Sequence, residues 1–507
     1  MNVFSDSIFN NKPKAKKTYF ILLSLLFLLG FYHWCNIFNF GNISYQSGDW
    51  TKQYKYYVVL KEFVTTGQVP YHVSEKFQTT DRFMGNPEID FSPQILLLRF
   101  ISVKSYFIVN LMLFYMIGFI GCLLIKKRFK LTLFTFALLF TLFNFNGYIT
   151  SHFTGGHYMW LTYFFFPFFF LLVMDLYQGT NPVRTWILLA GVMFAVYLNA
   201  APHTYIWLML FLVFFAIFNK NSRKYIFYVI LANAGLLAFR ILPNAVTYAD
   251  HMGTRAMGYF SLGNLLEALT VIRNMQYYPD GSRYAWCEYD MYVDVLGLAA
   301  VSFFGIWLSI SKKWKDSIAN FKPLYLPLMA LFLLSLGRFY RIITTIPIPL
   351  FNSENVTSRF IIVPAFALFM FTAVRMDAFL PKLKSGYTKT LAVFALVFLM
   401  TSLFTHSNIW NVNNFEKIHK IDTIDLNVKI IEKNEYTYDM AVKPSQTNIK
   451  VLDGFIAGAQ KIMDKVTRNE PFYKTVVNYS PLISLASLLF LFGLYIRAGK
   501  KQKGRAV

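Results

Sequence analysis

Apolar residues run through the chain in blocks of about twenty, separated by short polar segments, and such a block is what a helix needs to cross a hydrocarbon core of about 30 Å. Blocks of this kind lie near 18–40, 103–125, 131–149, 158–176, 185–200, 203–219, 225–243, 292–311, 323–337, 359–376, 388–405 and 481–497. The blocks at 185–200 and 323–337 are short, so the pattern predicts about 12 transmembrane helices, within about 11–13. The apolar stretch Ile342–Phe351 is interrupted by Pro347 and Pro349, which suits a re-entrant or interfacial segment better than a span. Between the first two blocks, Tyr56, Val59, Leu60, Phe63 and Val64 recur at helical spacing, predicting an interfacial helix in the first loop. The fold class is therefore an all-α polytopic membrane protein.

Composition removes the alternatives. A soluble chain of 507 residues would divide into roughly three domains, but here 56% of positions are hydrophobic and only 15% charged. The net charge of +23 sits in short basic clusters beside apolar runs, which argues for membrane lipids as partners and no nucleic acid. The lysines at 12, 14, 16 and 17 resemble a signal-peptide start, but the run Tyr19–Phe40 is long and has no small-residue cleavage site, so it reads as an uncleaved first helix. Three cysteines cannot build a disulfide framework, and without a CxxC or Cys/His metal spacing they argue against redox or zinc chemistry.

Basic clusters at Lys126–Lys130, Lys220–Lys224, Lys312–Lys322, Arg375–Lys389 and Arg497 onward alternate with loops poor in Lys and Arg, which places both termini in the cytoplasm. Loops 41–93, 244–291 and 338–358 then face outward. The expected organisation is a transmembrane domain over 1–405, an extracytoplasmic segment or lid over 406–480, and a final helix with a basic tail over 481–507. No P-loop or dinucleotide-binding glycine pattern occurs. Chemistry, if present, belongs to the outer face.

Several outer residues are candidates for it. Asp49 begins the predicted interfacial helix, with Gln53 one turn on and Tyr54 beside it. Asp49 is either a plain N-cap or a carboxylate held ionised to act as general base. Glu88 and Asp90 lie one residue apart, and in an extended segment both would point the same way and share a divalent cation or a pair of sugar hydroxyls; the alternative is a solvated acidic loop. His152 and His157 in Ser-His-Phe-Thr-Gly-Gly-His, and His203 in Ala-Ala-Pro-His, suit either headgroup-level polarity or hydrogen bonding to a sugar or phosphate, with metal binding weakly signalled. Gly155 and Gly156 would let the backbone approach a ligand closely. Arg240, Arg283 and Arg359 stand at outer boundaries where the positive-inside rule disfavours them, and a guanidinium fork fits phosphate; Arg359 can instead pair with Glu354.

The run Gly48-Asp49-Trp-Thr-Lys-Gln53-Tyr54, followed by Ser92-Pro93 before the second apolar block, resembles the GT-C superfamily of integral-membrane glycosyltransferases, and within it the YfhO-like bacterial branch. The resemblance is strongest over 18–220. It implies a GT-C-like fold and an extracytoplasmic enzyme that moves a sugar from a polyprenyl-phosphate donor to a lipid or surface-glycan acceptor. It also implies Asp49 as catalytic base, with Gln53 and Tyr54 flanking it and a late-span arginine, Arg359, facing the donor phosphate. Some similar enzymes use an acidic pair with a divalent cation and others use none. A flippase or transporter of lipid-linked glycan, a glycan polymerase or ligase, and a non-catalytic membrane folding factor are the competing classes.

Overall fold

The computed structural model of the chain describes residues 13–41, 45, 49–77, 80–248, 257–274, 277–279, 282, 284–311, 320–344, 354, 356–382, 386–418, 428–431 and 469–503. It is helical almost throughout. The first half comprises α1 (Pro13–Ile37), α2 (Trp50–Thr66), α3 (Val103–Phe129), α4 (Leu133–Phe145) and α5 (Gly147–Gly155). Then come α6 (Phe166–Tyr177), α7 (Pro182–Leu198), α8 (Pro202–Phe218), α9 (Arg223–Leu236) and α10 (Ala238–Tyr248). The second half adds α11 (Leu262–Thr270), α12 (Asp294–Ala300), α13 (Leu308–Ile310), α14 (Lys322–Ser335) and α15 (Tyr340–Thr344). The long α16 (Ile362–Phe379), α17 (Gly386–Ile418) and α18 (Glu470–Lys503) close the chain.

Among the described residues, seven helices are long and apolar enough to cross a membrane, or eight if α8 and α9, bent by 117° at their junction, count as one broken span. Three shorter apolar helices, Pro182–Leu198, Asp294–Ile310 and Lys322–Ser335, coincide with further apolar blocks of the sequence. Every predicted block is thus helical, while full-length spans are fewer than the twelve expected. The protein is a multi-pass, predominantly α-helical membrane protein.

Local chemistry sets the breaks. Pro182 and Pro202 open α7 and α8 at the first helical position, where a missing N–H costs nothing. Asn146 separates α4 from α5: its side chain accepts a hydrogen bond from Ile149 N at 3.3 Å and donates to the Leu142 carbonyl at 2.8 Å, capping one helix while ending the other. Every residue of α4 is buried, so this helix is the centre of the bundle. By contrast α18 exposes Leu482, Leu485, Leu489, Phe490 and Phe492, the pattern of a lipid-facing surface.

Two features depart from the sequence expectation. The first loop carries strands β1 (His72–Phe77) and β2 (Thr80–Arg82), which form a three-stranded sheet with β3 (Ile430–Ile431) in the order β2-β1-β3. The antiparallel pairing of His72 with Ile431 and Val73 with Ile430 ties segment 406–480 to the first loop. That segment is also helical at both described ends, since α17 runs on to Ile418 and α18 begins at Glu470.

Candidate functional site

The start of α2, the turn before α3, the α5 end, the start of α8, the turn Trp286–Glu288 and the approach to α16 converge at one end of the bundle. Asp49 occupies the N-cap position of α2, yet its side chain makes no capping hydrogen bond. It points instead to His157, whose Nε2 lies 3.3 Å from Asp49 Oδ2. The close approach requires Gly156, which has φ +98° and would place a Cβ 2.4 Å from the Trp50 nitrogen. The glycine expected to admit a ligand therefore admits the backbone of α2.

From Asp49 a ring of alternating charge closes on itself. Lys52 Nζ lies 3.7 Å from Asp49 and 2.9 Å from Glu88. Glu88 stands 4.0 Å from His203 Nε2, whose Nδ1 meets Glu354 at 2.9 Å. Glu354 also accepts from Trp207 Nε1 at 3.1 Å and sits 3.9 Å from Arg359 Nη1. The Arg359 fork donates to both oxygens of Glu288, at 2.7 and 2.5 Å. Glu288 lies 3.8 Å from His157 Nε2, which completes the ring, and 4.0 Å from His152 Nδ1. Trp160 forms the hub: the rings of His152, His157 and His203 lie within 5.9 Å of it, and the Arg359 guanidinium sits 5.2 Å over its face.

Burial alone would raise the carboxyls of Asp49, Glu88, Glu288 and Glu354, but their partners outweigh it. His157, Lys52 and Arg359 hold Asp49 far below the usual carboxylate range, Lys52 and His203 lower Glu88, Arg359 and His157 lower Glu288, and His203 lowers Glu354. Burial would depress Lys52, yet Glu88 and Asp49 raise it, so it stays charged. The four acids differ in access: side-chain exposure is 43% for Asp49, 12% for Glu88, 9% for Glu288 and 0% for Glu354. One carboxylate is partly exposed and three are buried around it.

Of the candidates from sequence, Asp49, Glu88, His152, His157, His203 and Arg359 meet here. Others do not. Asp90 is buried away from the ring, accepting from Tyr57 at 2.9 Å, Tyr106 at 3.2 Å and the Ser92 N–H at 2.7 Å. Residues 87 and 88 form a turn, not the extended segment that would align Glu88 with Asp90, so the shared-cation pairing fails. Gln53 is buried and its backbone N–H donates to the Asp49 carbonyl, while Tyr54 stacks on Tyr45 at 5.7 Å. Arg240 is no phosphate ligand: it donates to the carbonyls of Met84, Asn86 and Ile89 at 3.1, 2.6 and 3.1 Å, clamping the turn that presents Glu88. Arg283 lies outside the described residues.

Lys52, Glu288, Trp160 and Trp207 have no sequence signal of their own. The Asp49/Lys52 spacing of three residues, one helical turn, is the nearest to one. Glu288 lies beside His152 and His157: one ligand atom from each of the three lies within 4.8 Å of the others, the only such His/Cys/Asp/Glu group found among the described residues.

No protein-family model matches the chain, and no curated protein or solved structure matches it. The likeness to GT-C enzymes rests on the sequence motif around Asp49.

Proposed function

We propose that the chain is an extracytoplasmic glycosyltransferase acting on a polyprenyl-phosphate sugar and a lipid or surface-glycan acceptor. The observation that carries this reading is the Asp49 carboxylate, ionised, free of capping duty and open on one side while His157 and Lys52 fix the other. An acceptor hydroxyl reaching Asp49 would give up its proton as its oxygen attacks the anomeric carbon. The bond from that carbon to the phosphate oxygen breaks in the same step, so the configuration inverts and the polyprenyl phosphate departs with the bonding pair. Lys52, less buried than Arg359, is the cation best exposed to the growing negative charge. Arg359, with its fork committed to Glu288, acts through the field it adds.

Removing the gene should cause a polyprenyl-phosphate sugar to accumulate, and purified protein should transfer that sugar from a synthetic donor. An unchanged lipid-linked pool would refute the transferase. One observation favours a second reading, a lipid-linked glycan transporter: His406, within the apolar span of α17, pairs with Asp290 at 2.8 Å, and Asp294 accepts from Ser402 at 2.6 Å. A lost transporter strands the donor in the cytoplasmic leaflet, whereas a lost transferase leaves it in the outer one.

A further inference from the structure

We propose that His152, His157 and Glu288 bind a divalent cation of the zinc class, with Asp49 as the outer partner that orients His157. The two imidazoles face each other Nδ1 to Nδ1 at 2.6 Å. Two neutral rings in that pose share a single proton between nitrogens that are otherwise both lone-pair donors. A cation in place of that proton needs the nitrogens to part by well under 1 Å, since bonds of about 2.0–2.1 Å at a tetrahedral angle separate two ligands by roughly 3.3 Å. Glu288, 4.0 Å from His152 Nδ1, supplies the third ligand. Its engagement with Arg359 uses one lone pair on each oxygen and leaves others for a metal.

The outer carboxylate is already in place. With Nδ1 on the metal, His157 carries its proton on Nε2, and Asp49 Oδ2 lies 3.3 Å from that nitrogen. This is the carboxylate–histidine–metal arrangement that fixes a ligand's tautomer and raises its basicity. The charge balance points the same way. Among the described residues, Asp49, Glu88, Glu288 and Glu354 face Lys52 and Arg359 as lysine and arginine cations, which leaves two negative charges to be offset by the imidazoles or by a bound cation. A divalent cation removes that excess. Two imidazoles and one carboxylate suit zinc, and three protein ligands leave a fourth position for a substrate oxygen.

The inference does not depend on the transferase reading, and its test uses no glycan. Full-length protein, purified in detergent through a tag without histidine and stripped with chelator, is titrated with Zn²⁺ against a chromophoric competitor. One tight equivalent is expected, with His157→Gln and Glu288→Gln at least 100-fold weaker, Asp49→Asn 10- to 100-fold weaker, and His406→Gln unchanged. X-ray absorption of the zinc-loaded wild type, which needs no variant to fold, should count two imidazole ligands and one carboxylate. Absence of a stoichiometric zinc, a ligand count without imidazole, or binding that survives His157→Gln would overturn the assignment.

Discussion

Two clusters of buried charge grow from the same stretch of chain, residues 49–90, and they are balanced differently. In the first, His72 lies between Asp81 at 3.1 Å and Glu470 at 2.7 Å, while Arg82 donates to Glu470 at 2.7 Å and to Asn469 at 2.9 Å and stacks over Tyr473 at 4.2 Å. Two acids meet an arginine, a histidine and, at the more exposed side, Lys474 at 3.6 Å from Glu470, and the product is a latch between the first loop and the start of α18. In the second, four acids meet a lysine and an arginine, three imidazoles lie among them, and one acid faces outward. Buried ions that compensate each other hold parts together, whereas a buried surplus of one sign costs free energy that a further counter-charge would offset. That contrast separates a strut from a site.

The largest break in this contrast should come from Arg359. Arg359→Ala leaves Glu288 buried without its fork, at a cost of about 3–5 kcal/mol, and folded protein recovered by size exclusion should fall sharply. Glu288→Gln, not Glu354→Gln, should lower it comparably, because the bidentate contact is to Glu288. Arg359→Lys keeps the charge without the fork and should retain part of both yield and turnover.

The latch should respond more weakly and only to pH. Burial would lower the His72 pKa, but Asp81 and Glu470 raise it above its ordinary value. A raised histidine stabilises the folded state fully below the unfolded pKa of about 6.5 and loses that contribution as pH rises through the folded value. Thermal stability in detergent should therefore decline from mildly acidic to alkaline pH. His72→Gln should flatten that decline without changing turnover per folded molecule, and an unchanged slope would remove His72 from the latch.

The sequence shows where its helices lie because apolar blocks of spanning length have few other uses, and each block is helical. It shows less well which of them span, since the elbow between α8 and α9 and the short α12–α14 region depend on neighbours. Six of the candidate residues meet because charges and histidines at the ends of apolar runs have little reason to be there unless they are used. Asp90 misleads because a turn at 87–88 undoes the alternation that a straight segment would give it. Arg240 misleads because its partners are backbone carbonyls, which leave no trace in side-chain identity. Glu288 is hidden in Trp-Cys-Glu-Tyr-Asp, a loop with no spacing to His152 or His157 that sequence could reveal.

The central claim is that Asp49 is a base and not a cap. The direct measurement is turnover of a synthetic polyprenyl-phosphate sugar by purified Asp49→Asn, normalised to folded protein and made at saturating Zn²⁺ so that weakened metal binding does not enter. The amide keeps the shape and the helix start but cannot accept the acceptor's proton. The account predicts wild-type protein levels with turnover lower by about 10²–10⁴-fold; turnover within a few-fold of wild type would contradict it.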